Sequence, residues 1–155
     1  MAMTSDSNKA RLMSRSSIPI ICKFIELCLS IVIVGLIVDP TNNGILAFDQ
    51  NHSGIVYVSW PGYIIINTIL IITHLAGDRV PKRTLILFAI VGGVLYVAAS
   101  GVAIHDWRKN RKPTTAYYPS KQYQDMTISA GTLGILTAFV MFAEVYFLML
   151  EDDED

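Results

Sequence analysis

The sequence predicts an all-α membrane protein, an antiparallel bundle of four transmembrane helices. Two observations predict it. The chain is 52% hydrophobic and only 16% charged, against roughly 25% charged residues in an ordinary soluble domain. The apolar residues also gather into four blocks, at 18–38, 54–75, 84–104 and 127–150. Each is close to the roughly 20 residues that cross about 30 Å of hydrocarbon. A soluble core would break into shorter runs at period 2 or about 3.6. The net charge is −1, so bulk charge draws the chain neither to nucleic acid nor to anionic lipid.

The elements follow in order. Residues 1–17 form a polar tail with Lys9, Arg11 and Arg15. The first block is too long for a signal-peptide core and no small-residue cleavage site follows it, so it is expected to remain as the first span. The first connection carries Asp39-Pro40 and Asn42-Asn43-Gly44, both turn signals. The second, 76–83, reads as a tight hairpin. The third, 105–126, is the longest, and the acidic run 151–155 closes the sequence. None of these segments is long enough for a folded domain. Residues 18–150 are therefore read as one transmembrane domain between two cytoplasmic tails.

Orientation follows the Lys and Arg bias. One side carries Lys9, Arg11, Arg15, Arg79, Lys82 and Arg83, with Lys23 able to snorkel towards it. The other carries Arg108, Lys109, Arg111, Lys112 and Lys121. The first connection has neither Lys nor Arg, and the first helix usually dominates. Both termini are expected in the cytoplasm, with the cationic start of the third connection outside and against the rule.

The blocks contain three formal charges, Lys23, Glu26 and Glu144. Charges inside the membrane are costly and mark function or structural ties. Lys23 and Glu26 are three residues apart on one helical face, with Ser30 four further along it. The helical rise places Lys23 roughly 7 Å and Glu26 roughly 12 Å into the first span, and Glu144 about 9 Å from the end of the fourth. The matched depth admits three readings. Lys23 pairs with Glu144 or Glu26, or Lys23 snorkels while Glu26 carries a proton, or the group lines a proton or ion path. Asn67, midway along the second span, is expected to hydrogen-bond a neighbouring helix.

Small residues mark the packing faces. They are Gly93 and Gly101 on the third span and Ala130, Gly134 and Ala138 on the fourth. Small residues four apart let backbones approach within lipid. Such faces serve either the bundle itself or a second membrane protein. Trp60, Tyr63 and Trp107 read as an aromatic belt at the outer interface, and Trp60-Pro61-Gly62 either kinks the second span or marks its first turn.

Cys22 and Cys28 lie six apart on different faces and cannot pair with each other. Cys22 is a palmitoylation candidate, with an apolar role in lipid as the simpler reading. The outer connections lack cysteine, which argues against claudins, tetraspanins and connexins. Asn51-His52-Ser53 is a glycosylation sequon placed too near the bilayer to expect occupancy. The run Arg108-Lys109-Asn110-Arg111-Lys112 with Tyr117, Tyr118 and Tyr123 reads as a solvated connection, or as a patch for acidic partners or head groups. No nucleophile with a base, facing carboxylate pair or metal-ligand spacing is present. The expectation is no enzyme, no cofactor and no metal.

The run Cys22-Lys23-Phe24-Ile25-Glu26-Leu27-Cys28-Leu29-Ser30 opening the first span resembles MARVEL-type four-span proteins. Val91-Gly92-Gly93, Gly101-Val102-Ala103-Ile104-His105-Asp106-Trp107, Ala130-Gly131-Thr132-Leu133-Gly134 and Glu144 are more closely similar to the snakeskin family of arthropod smooth septate junctions. The likeness covers the four spans and their order. It implies cytoplasmic termini, a plasma-membrane junction in epithelium, and a structural role beside membrane lipid and other junction membrane proteins, as a homo- or hetero-oligomer. A MARVEL-type vesicle-sorting protein and a small transport-associated subunit are the alternatives.

Overall fold

The computed structural model describes residues 2–42, 50–78, 80–110 and 121–150. Among them the chain forms four helices: α1 (Ala2–Asn42), α2 (Gln50–Leu75), α3 (Lys82–Asn110) and α4 (Lys121–Leu150). Pro19–Pro40, His52–Leu75, Lys82–Lys109 and Lys121–Leu150 are each long and apolar enough to cross a membrane. In hydrocarbon every backbone N–H and C=O needs a partner within the chain, and the α-helix supplies it locally. Each helix packs on its neighbours in sequence, and α1 also packs on α4, which closes the ring.

The helices outrun the apolar blocks. The third connection, expected over 105–126, is shortened because α3 continues to Asn110 and α4 starts at Lys121. α1 reaches back to Ala2 and α2 begins at Gln50, so the sequon Asn51-His52-Ser53 falls in the first turns of α2. Hydropathy reports where hydrocarbon ends, whereas helical hydrogen bonding continues into polar sequence until a breaker stops it. Arg79, the basic and aromatic residues within 111–120, and the acidic run 151–155 lie outside the described residues.

The turn between α2 and α3 has such a breaker. Gly77 adopts a φ of 87°. Its N–H bonds to His74 O and the Asp78 N–H to Thr73 O, both at 3.2 Å. This pair of bonds is the Schellman termination, which uses the left-handed region that glycine enters without a Cβ clash. Pro81 follows, and its carbonyl accepts from Thr84 and Leu85 to start α3.

The bundle is apolar outside and mixed inside. Val58, Ile65, Leu87, Phe139 and Tyr146 are among the large side chains turned outward, while Lys23, Glu26, Ser30, Asn67, Thr137 and Glu144 are buried. A surface of this kind needs lipid around it. The centre is filled by Ile33, Ile37, Val56, Trp60, Tyr63, Tyr96, Met141 and the alanines Ala99, Ala103, Ala130 and Ala138.

Trp60 and Tyr63 therefore do not form the outer belt expected for them. They are 0% and 3% exposed. With α2 starting at Gln50, Trp60 sits about 15 Å along the helix, below the interface, and Pro61 is a helix-interior proline. Glycines opposite make the room. A Cβ on Gly134 would lie 3.4 Å from the Trp60 indole and would overlap Ser100 Oγ, and one on Gly92 would run into the Tyr63 ring. Gly93 faces the Phe142 ring in the same way, and Gly131 faces Ile104. Gly101, expected on a packing face, has nothing within 4 Å of a built Cβ, because it lies on the outward face of α3.

Filling the notch opposite Trp60 should strain the core, whereas filling an open glycine should not. Gly134→Val is expected to destabilise the bundle by about 1–3 kcal/mol, read as a lower thermal midpoint in detergent. Gly35→Val, at a glycine with open space around it, is expected to leave the midpoint unchanged.

Candidate functional site

The candidate site is the buried polar system that crosses the bundle. Lys23 and Glu26 are one helical turn apart on α1, and their Nζ and Oε2 atoms lie 2.8 Å apart. The same Nζ lies 2.7 Å from Glu144 Oε2 on α4. All three side chains are at most 3% exposed. The structure thus unites the two pairings that the sequence left as alternatives, with one ammonium serving both carboxylates.

The two contacts differ in kind. Lys23 donates a hydrogen bond to Glu26. Its contact with Glu144 is an ion pair to Oε2 alone, so among the described residues Glu144 Oε1 and Glu26 Oε1 keep unused hydrogen-bonding capacity. Fully ionised, the cluster would hold one cation against two anions. Removing one partner from a buried pair typically costs about 3–5 kcal/mol, because the survivor is left desolvated and uncompensated.

The system continues through hydroxyl groups. Ser30 Oγ donates to Glu26 O at 2.6 Å, and Ser30 Oγ and Tyr96 Oη are also 2.6 Å apart. A serine hydroxyl has one proton, already directed at Glu26 O, so Tyr96 is the donor. Tyr96 meets Tyr63 edge to face, with centroids 5.8 Å apart. Tyr63 in turn donates to Phe88 O at 3.0 Å. This sequence of contacts touches all four helices. It joins α4 to α1 through charge, α1 to α3 through hydroxyls, and α3 to α2 through rings and a backbone carbonyl.

Asn67 behaves differently from its expectation. It is fully buried, yet neither amide atom has a hydrogen-bond partner among the described residues. Its depth is about 12 Å from the end of α2, the same layer as Glu26 and Glu144. It sits on α2, which stands diagonally across the ring from α4, so the amide is level with Glu144 but diagonal to it. Trp60 Nε1 and Ser100 Oγ are also buried without partners among the described residues. Of the small residues singled out, Ala130, Gly134 and Ala138 are buried on the inward stripe of α4 together with Thr137 and Glu144.

A second cluster lies at the opposite end, where the sequence suggested only a connection. His52 Nδ1 on α2 and His105 Nδ1 on α3 each lie 3.3 Å from Asp106 Oδ1. Their rings stand edge to face at 6.2 Å. Asp106 is buried and ties the start of α2 to the end of α3. The signal available in the sequence was that two of the three histidines flank span ends bearing a nearby acid; placing 105–126 in a connection hid it.

The arrangement holds helices in register from both ends, and among the described residues the unpaired atoms of Glu26, Asn67 and Glu144 share one layer. Comparison with protein-family models, with curated proteins and with solved structures finds no match to this chain.

Charge exchange tests the tie. Lys23→Glu and Glu144→Lys, each alone, are expected to lower the thermal midpoint in detergent sharply, in line with loss of about 3–5 kcal/mol. The double exchange again gives one cation and two acids and is expected to recover most of it. Failure of the exchange to recover more than the better single variant would refute the pairing. For the hydroxyl bridge, a double-mutant cycle of Ser30→Ala and Tyr96→Phe should return a coupling of about 0.6 kcal/mol.

Proposed function

We propose that the chain is a non-catalytic integral membrane protein that organises septate-type cell–cell junctions by lateral association with other membrane proteins. The observation that carries this reading is the inward turn of the charged and hydroxyl groups. Lys23, Glu26, Ser30, Tyr96 and Glu144 connect the chain's own helices, and the outer face is apolar and broken by open glycines such as Gly35 and Gly101. A rigid, self-sufficient bundle with short connections suits a lateral building block. The resemblance to the snakeskin family supplies the junction itself, the plasma membrane and the cytoplasmic termini.

A second reading, a transport-associated subunit, is favoured by one observation. The unused oxygens of Glu26, Glu144 and Asn67 lie in one buried layer. Polar groups of this kind line ion and proton routes in other membrane proteins.

The tagged full-length chain, expressed in polarised epithelium, is expected to form continuous belts at lateral cell contacts. Mobile intracellular puncta as the main steady-state pool would favour the sorting alternative and overturn the junction reading. Conductance above the lipid background in a bilayer reconstituted with the purified chain would favour the transport reading.

A further inference from the structure

The outer surface of α3 holds a groove of about 520 Å³ lined, among the described residues, by Gly101, Ile104, His105, Arg108 and Lys109. Four of these follow the i, i+3, i+4, i+7 spacing of a single helical face. Their depths differ in a useful way. Arg108 and Lys109 lie at the end of the apolar span Lys82–Lys109, and Gly101 lies about 10 Å deeper by the helical rise. The groove therefore has a cationic rim at the level of lipid head groups and an apolar floor at the level of acyl chains.

Two explanations of the rim compete. Basic residues in the last turn of a helix complement its dipole, and Arg108 and Lys109 occupy that turn of α3. This accounts for their charge but not for a concave face, nor for a glycine with open space where a Cβ would stand. Both cations are also exposed and, among the described residues, unpaired. The acid beside them, Asp106, turns to His52 and His105 instead.

From this geometry we infer that the groove is a binding site for one anionic phospholipid. Its phosphate meets Arg108 and Lys109, and its upper acyl chain lies over Ile104 and the notch at Gly101. The occupant is a lipid rather than a soluble phosphate compound, because the floor of the groove is apolar and faces the bilayer. This inference is independent of the junction reading.

The test is native mass spectrometry of the purified full-length chain in detergent, titrated with phosphatidylglycerol or phosphatidylcholine of the same acyl composition. One tightly retained phosphatidylglycerol is expected, in preference to phosphatidylcholine. Arg108→Ala and Lys109→Ala should each weaken its retention by about fivefold. Gly101→Leu, which keeps both cations and fills the notch, should weaken it as well without moving the thermal midpoint. Arg83→Ala, at the other end of α3, should leave it unchanged. Equal retention of the two lipids would overturn the proposal. So would an Arg83→Ala effect as large as that of Arg108→Ala, which would indicate general charge attraction. Full retention by Gly101→Leu, or displacement of the lipid by excess inorganic phosphate, would equally overturn it.

Discussion

One ammonium group, shared between two carboxylates, holds this bundle in register. Lipid tails are as apolar as leucine, so hydrophobic burial does not drive helices together inside the bilayer. Association rests on close packing and on polar pairs that have no water to turn to. Lys23 between Glu26 and Glu144 is the most deeply buried ionic group in the described structure. It fixes the height of α4 against α1, and everything around it follows that setting. The hydroxyl of Ser30 meets Tyr96 only if α3 stands at the matching height, and Tyr96 meets Tyr63 only if α2 does too.

Packing of unequal partners completes what charge begins. The inward aromatics Trp60 and Tyr63 are accommodated by Gly134 and Gly92 on facing helices. A bulky ring against a bare backbone gives dispersion contact over a large area, and it excludes other registers in which two rings would collide. Gly77 contributes differently, by ending α2 in a left-handed turn so that α3 can fold back beside it. The glycines of this chain therefore have separate roles. Some make space, one sets a turn, and Gly101 opens the outer face.

Much of this was legible in the residues. The four spans came from block length, and the ionic cluster came from the rarity and matched depth of Lys23, Glu26 and Glu144. The helix ends were not legible, because hydropathy falls at the interface while helical hydrogen bonds continue through polar residues such as His105 and Asp106. That difference between hydropathy and helix length hides the His52–Asp106–His105 tie. Trp60 and Tyr63 were misplaced by a related step. An aromatic near an apparent span start reads as an interfacial anchor, and only the earlier start of α2 moves it inward. Asn67 shows a different boundary of sequence reasoning. Depth and polarity can be read from a linear pattern, but whether a diagonal neighbour comes within reach cannot.

The ionic cluster also constrains how the chain is made. Lys23 and Glu26 enter the membrane with the first helix, whereas Glu144 arrives with the last. Through the synthesis of α2 and α3 the early pair has only itself as a partner, one turn apart on the same helix, which softens the penalty of insertion. The bundle gains its closing contact only when the fourth helix enters. Until then α1 presents to the bilayer a charged face that only Glu144 completes.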